Sequence, residues 1–218
     1  MHGDAQTVLE PRKTPVQARA AVTVEAICEA TIQVLLSLGA DRLTTTRVAE
    51  RAGVSVGTLY QYYPNKQSLL FAVLEAHLGK VCSAVEEACE RAHRQPLRKM
   101  IREVVGTYVD AKMERRDISM ALYQIAGDVG GITLVNRTSQ RTRKALETML
   151  QTAPDIETPP DQLAIEMMSS AMAGAMRAML EAGPSPAMVR KQRDHLVLLC
   201  QSYMAAVTVR NPSAPGED

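Results

Sequence analysis

The chain reads as all-α. Three observations carry that prediction. Apolar residues recur at the helical spacing i, i+3, i+4, i+7 through most of the 218 residues. No segment alternates apolar and polar residues as a half-buried strand would. The interruptions fall at glycine and proline, the residues that end helices. Hydrophobic residues make up 46% of the chain, enough for a sizeable core. With six tyrosines, one phenylalanine and no tryptophan, that core must be packed from Leu, Val, Ile, Ala and twelve methionines.

The elements follow in order. Residues 1–15 are polar, punctuated by Pro11 and Pro15 with Arg12 and Lys13 between, and read as a flexible basic arm. Over 17–38 the positions Val24, Ile27, Cys28, Thr31, Val34, Leu35 and Leu38 predict a first helix, closed by Gly39. Residues 44–66 then read as two short helices around a tight turn. Thr45 or Thr46 caps the first, and Val48, Ala49 and Ala52 give it a small apolar face. Gly53 sits where the chain must leave helical geometry with positive φ. Ser55 caps the second, with Val54, Thr58 and Leu59 inward, and Pro64 stops it. Asn65 caps a long helix through Leu69, Leu70, Val73, Leu74, His77, Leu78, Val81 and Val85, broken by Pro96. Further helices are predicted over 97–114, 117–125, 133–152, 161–182 and 186–209. They are separated by Gly130-Gly131, by the 154–160 stretch and by Gly183-Pro184-Ser185-Pro186. The tail 211–218 reads as disordered. The expected organisation is an arm (1–15), a small three-helix domain (16–64) and a larger helical domain (65–210).

Two helices around a tight turn are a helix-turn-helix, whose second helix lies in the major groove of duplex DNA. The inward set leaves Val56, Gly57, Gln61 and the hydroxyl tips of Tyr60 and Tyr62 available to a partner. The run Ala49-x-x-Ala52-Gly53-Val54-Ser55-x-Gly57-Thr58-Leu59-Tyr60-x-Tyr62-Tyr63-x-Asn65-Lys66-x-x-Leu69-Leu70 resembles the DNA-binding domain of the tetracycline-repressor (TetR) family of transcriptional regulators. The resemblance spans about 16–74, roughly a quarter of the chain; the remainder resembles the family only in being helical and of the usual length.

By position, Ser55, Val56, Gly57, Thr58 and Gln61 are the candidates for base or groove-floor contact. Gln61 can offer a bidentate amide to adenine, and Val56 can touch a thymine methyl. The resemblance implies that Tyr60, Tyr62 and Lys66 hold phosphates, with Thr45 and the helix N-terminus near Thr46 adding backbone donors. Arg47 is either a groove or phosphate contact or a solvated arginine paired with a neighbour such as Glu50. Tyr63 is expected to pack against the first helix, and Arg12 and Lys13 are within reach of a minor groove. Between Arg12 and Leu70 seven basic residues face four acidic ones, whereas the rest of the chain balances from Phe71 onward. The surplus sits where phosphate neutralisation needs it.

One such domain buries too little surface to hold a site tightly, and the resemblance implies a two-fold homodimer on a palindromic operator of double-stranded DNA. The last two helices are the expected interface. Ser170, Gly174 and Ala178, beside Ala171 and Ala175, allow close approach; Val189, Leu196, Leu199, Cys200, Tyr203, Met204 and Val207 supply apolar contact on the following helix. The alternative is an ordinary intramolecular pair.

The larger domain is expected to bind an unidentified small-molecule effector that releases the repressor from DNA by shifting the long helix. Met168, Met172, Met176 and Met179 follow helical spacing and line either a pocket or the core. Tyr108, Met113 and Tyr123 are further candidates, so the ligand set is Tyr108, Met113, Tyr123, Met168 and Met172. A second stripe, Cys82, Glu86, Cys89 and His93, invites a metal reading. Four side chains along about 16 Å of one helix cannot converge on one ion, so no metal or cofactor is expected.

No catalytic motif is found; Gly127-Asp128-Val129-Gly130-Gly131 has the wrong spacing for a dinucleotide fingerprint and no preceding strand, so an enzyme is not expected. The rival from another class is a helical protein-interaction adaptor without DNA affinity. No run of eighteen uncharged apolar residues and no signal-peptide core is present. The four cysteines lack a CxxC spacing. The expectation is a cytoplasmic protein with reduced thiols and no membrane partner.

Overall fold

The computed structural model describes residues 15–127 and 130–209, which are helical and connected by short turns. The expected arm and tail, and Asp128 and Val129 of the glycine-rich turn, lie outside the described residues. Nine helices are formed among those described: α1 (Pro15–Leu38), α2 (Thr45–Ala52), α3 (Val56–Tyr62), α4 (Lys66–Ala92), α5 (Leu97–Glu114), α6 (Arg116–Ile125), α7 (Gly131–Leu150), α8 (Gln162–Ala182) and α9 (Pro186–Val207). They divide into two compact units, one up to Leu70 and the other from Phe71. The division falls inside α4, one turn beyond its cap, rather than before Asn65.

In the first unit α1 packs on α2 and α2 on α3. Ile27, Val34 and Leu35 of α1, Val48 and Ala49 of α2 and Leu59 of α3 are buried, with Leu43 closing the core from the connecting loop. The first turn of α4 adds Leu69 and Leu70. Gly39 (φ 79°) ends α1, its N–H donating to Leu35 O at 2.9 Å. Gly53 turns the chain between α2 and α3 at φ 67°, a left-handed conformation that costs a residue with a Cβ.

The second unit is built around α5. Its buried face, Met100, Ile101, Val104, Val105 and Val109, meets Leu146, Met149 and Leu150 of α7, Ile165 to Leu180 of α8, and Leu196, Val197, Cys200 and Met204 of α9. The α5–α9 seam is close: a Cβ on Gly106 would lie 2.4 Å from the Arg193 guanidinium, which crosses there to Asp110 at 3.1 Å. Met168, Met172, Met176 and Met179 of α8 all belong to this core. Residues 151–161 are stitched to it. Asp155 Oδ1 accepts from the first N–H of α5 at 2.8 Å, and the N–H groups of Glu157 and Thr158 each donate to Thr208 O at 3.2 Å.

Two stretches, Ala20–Arg42 and Lys66–Ala92, are long and apolar enough on average to cross a membrane. Neither is an uncharged run, since Glu25 and Glu29 interrupt the first and Glu75 and Lys80 the second. Both helices spend an apolar stripe on the cores just described.

Candidate functional site

In the first unit, local chemistry sets the presentation of α3. Ser55, with extended backbone, accepts the N–H of Thr58 at 3.0 Å and so caps the helix. Leu59 anchors it, fully buried. Ser55, Gly57, Tyr60, Gln61 and Tyr62 are exposed, while Val56 and Thr58 are half-buried. Seven residues give barely two turns, so one face and one end are all that α3 offers. At its C-terminal side Tyr63 turns inward, its hydroxyl 3.5 Å from Cys28 Sγ on α1; burial and that neighbour push its ionisation well above the usual phenol range.

The cap of α2 differs from the sequence expectation. Thr44, not Thr45 or Thr46, is the N-cap, because its extended backbone (φ −128°, ψ 153°) lets Oγ1 accept the N–H of Arg47 at 3.3 Å. Thr45 is already helical, and its hydroxyl lies 3.2 Å from that of Tyr60, tying the first turn of α2 to the last turn of α3. Thr46 is exposed, as is Arg47, whose guanidinium donates to the carbonyl of Arg42 rather than to Glu50. Arg51 reaches Gln33 of α1 at 2.6 Å. Lys66, half-buried, opens α4 beside a reciprocal cap: Asn65 Oδ1 accepts from Ser68 N at 2.8 Å, and the Asn65 N–H donates back to Ser68 Oγ at 3.2 Å. Thr45, Thr46, Arg47, Ser55, Val56, Gly57, Thr58, Tyr60, Gln61, Tyr62 and Lys66 therefore all fall on α2, α3, the turn between them and the first residue of α4.

The second unit holds a cavity of about 160 Å³ among α4, α5, α6, α7 and α8. Leu74, Leu78, Val81, Val85, Leu122 and Leu146 make its wall largely apolar. Of the candidate ligand residues, Tyr108, Tyr123 and Met172 line it. Met168 and Met113 do not: Met168 is fully buried in the core on the same helix, and Met113 packs against that core. A helical stripe is too coarse to tell cavity wall from core. The Cys82 to His93 stripe is also dispersed. Cys82 lines the cavity, accepting from Thr142 Oγ1 at 3.5 Å; Glu86 pairs with Arg141 at 2.7 Å. Cys89 is buried in the core, which raises its thiol to about 12. Among the described residues no three His, Cys, Asp or Glu side chains gather as a metal site.

The polar groups of the cavity were missed by sequence reasoning. Lys112 of α5 is only 5% exposed, and its ammonium stands 5.1 Å from the centre of the Tyr123 ring. Burial lowers it to about 8. Ser119 of α6 donates to Lys112 O at 3.0 Å, so at 3.0 Å from His77 Nε2 it must accept, which places the histidine proton on Nε2. His77 is lowered to about 4, chiefly by burial and then by the Lys112 charge, so it stays neutral. A signal for Lys112 exists in the sequence: Ile101, Val105, Tyr108 and Lys112 continue one i, i+4, i+7, i+11 stripe, and a lysine on an apolar stripe marks a buried cation.

The last two helices keep part of their apolar surface outside. On α8, Leu163, Met167, Ser170, Gly174 and Ala178 form one exposed row; on α9, Leu198, Leu199, Ala205 and Ala206 are exposed. The expected contact set on α9 needs correction. Leu196, Cys200 and Met204 are buried within the unit, and Val189 and Tyr203 pack against its core. Leu199 and Val207 remain exposed. Two apolar faces on one helix look alike in sequence, and core packing took the richer one.

Comparison with known proteins matches both halves. Residues 27–73 match the model for bacterial regulatory proteins of the tetR family, and residues 96–204 match the tetracyclin repressor-like C-terminal domain. The fatty acid metabolism regulator protein of Bacillus subtilis is 30% identical over 61 residues, 28% of this chain and 31% of that protein. The class C tetracycline repressor protein of Escherichia coli is 43% identical over 54 residues, 25% of each chain. The chain thus spans about a quarter to a third of the length of these curated relatives. Among solved structures, the fatty acid degradation regulator from Bacillus halodurans superposes with a TM-score of 0.65 at 16% identity, covering 86% of this chain and 97% of that one.

Proposed function

The chain belongs to the TetR family of bacterial regulatory proteins, and from that premise we propose that it is a homodimeric, cytoplasmic transcriptional repressor, released from a palindromic operator by a small molecule in its second unit. The observation that carries this reading is the presentation of α3: capped by Ser55, pinned by Leu59, and showing Ser55, Gly57, Gln61 and two tyrosines to solvent. A helix so held enters a major groove end first, with Gln61 toward base edges and Tyr60, Tyr62 and Lys66 toward phosphates. The exposed rows of α8 and α9 support a dimer made by four helices, two from each subunit. The cavity supports effector binding. Six of its lining residues, Leu74 to Val85, belong to α4, whose first turn supplies Leu69 and Leu70 to the other unit. An effector that favours one placement of α4 shifts the spacing of the two recognition helices.

Selection of random duplex DNA by the purified chain at two salt concentrations tests the reading, with Tyr62→Ala and Lys66→Ala run in parallel. A palindromic motif, weakened by both substitutions and by salt, is expected. Absence of enrichment at low salt rejects the regulator and favours a helical adaptor that uses the exposed rows of α8 and α9 for a protein partner.

A further inference from the structure

The cavity of the second unit contains a charge that meets no carboxylate among the described residues. Lys112 is 95% buried, lines the cavity, and has no carboxylate within 4.0 Å among the described residues. Among the described residues the lining holds no aspartate or glutamate. The one favourable partner of the ammonium among the described residues is the Tyr123 ring, beside a neutral His77, a costly arrangement because a cation–π contact offsets little of the desolvation. Two neighbours extend the pattern. The hydroxyls of Tyr108 and Tyr123 make no hydrogen bond among the described residues, although most other hydroxyls of the cavity are committed. Burial raises the ionisation of both phenols, so each keeps its proton to donate. One cation and two uncommitted donors in an apolar chamber are the complement of an oxyanion.

We propose that the effector is a compact apolar molecule ending in one acidic group, its carboxylate paired with the Lys112 ammonium and hydrogen-bonded by Tyr108 or Tyr123. The proposal rests on reading the second unit as effector-binding and narrows that reading to a ligand class. Size agrees: an apolar cavity of about 150 Å³ accommodates benzene, so about 160 Å³ admits a single ring or a short acyl chain. His77 does not compete for the acid, since its Nε2–H is held by Ser119.

Isothermal calorimetry on the DNA-free protein tests the assignment with two acids, 4-ethylbenzoate and octanoate, each beside its alcohol and its amine. The acids are expected to bind at least about tenfold more tightly than the alcohols, and the amines most weakly. Lys112→Met and Lys112→Gln are expected to abolish the preference for acid while leaving the alcohols bound. The melting temperature of each variant without ligand is expected to hold or rise, because a buried unpaired charge has been removed. Equal binding of acid and alcohol, a preference for amine, an acid preference that survives both substitutions, or no binding of either acid overturns the proposal. The outcome is separable from that of the operator reading. A chain that binds acids but selects no duplex loses its repressor function and keeps the ligand class; one that selects a palindrome yet binds acid and alcohol alike keeps the first and loses the second.

Discussion

Ser55 makes one hydrogen bond that organises α3: its side chain occupies the N–H of Thr58, and without it a helix of barely two turns loses its only side-chain cap. Ser55→Ala is expected to lower the unfolding free energy by about 1 kcal/mol, measured by urea denaturation, and to weaken operator binding at the same time. Ser55→Asp, which keeps the cap, is expected to restore the stability and not the DNA affinity, since it sets an anion against phosphate. Roles of this kind are legible in a sequence because cap and turn act over three or four residues: Ser55, Gly53, Asn65 and Gly39 could all be placed from their neighbours. Thr44 shows the margin of that legibility, since three consecutive threonines carry the same chemistry and only the backbone angle selects one. Arg47 lies beyond it, and so does the pairing, though not the burial, of Lys112. The partner of Arg47 is a carbonyl five residues back, and the stripe that marks Lys112 as buried does not record that it meets no carboxylate among the described residues.

Helix boundaries were recovered within about two residues because most are marked by a cap, glycine or proline in the chain itself. What faces what was not: the burial of α8 and α9 depends on residues a hundred positions away, as in the bond from Gln201 Nε2 to Arg98 O at 2.7 Å. The start of α5 depends likewise on Asp155, which satisfies an N–H that Pro96 cannot cap. Asp155→Ala is expected to cost about 1 to 2 kcal/mol, read from the urea midpoint, with Asp155→Asn recovering part of it. The packing of α4 on α6 carries a pH dependence through His77. Its folded value of about 4 lies below the ordinary 6.5, so between these limits the unfolded chain holds a proton that the folded chain excludes. Stability is therefore full above pH 6.5, declines as the pH falls toward 4, and has no further contribution from this group below that. Urea midpoints of the native chain and of His77→Gln at pH 7, 5 and 4 check the sign: the variant is expected to lose less stability over the interval.

At the scale of the molecule, the exposed rows of α8 and α9 are affordable only where they are covered, since Leu163 is 63% and Leu199 52% exposed in the single chain. The double substitution Leu163→Glu and Leu199→Glu is expected to give a folded monomer in sedimentation, with thermal stability of the unit preserved and operator affinity reduced by more than about tenfold. A variant that still sediments as a dimer places the interface elsewhere. The distribution of tyrosines has a consequence for how such a molecule can be observed. With no tryptophan, its ultraviolet emission comes from six phenols alone. Tyr60 and Tyr62 stand on the outer face of α3, while Tyr108 and Tyr123 line the cavity. The native chain thus carries unlabelled optical reporters of two separate events. Substituting either pair with phenylalanine turns one channel dark and leaves the other to report duplex engagement or cavity filling above the emission of Tyr63 and Tyr203.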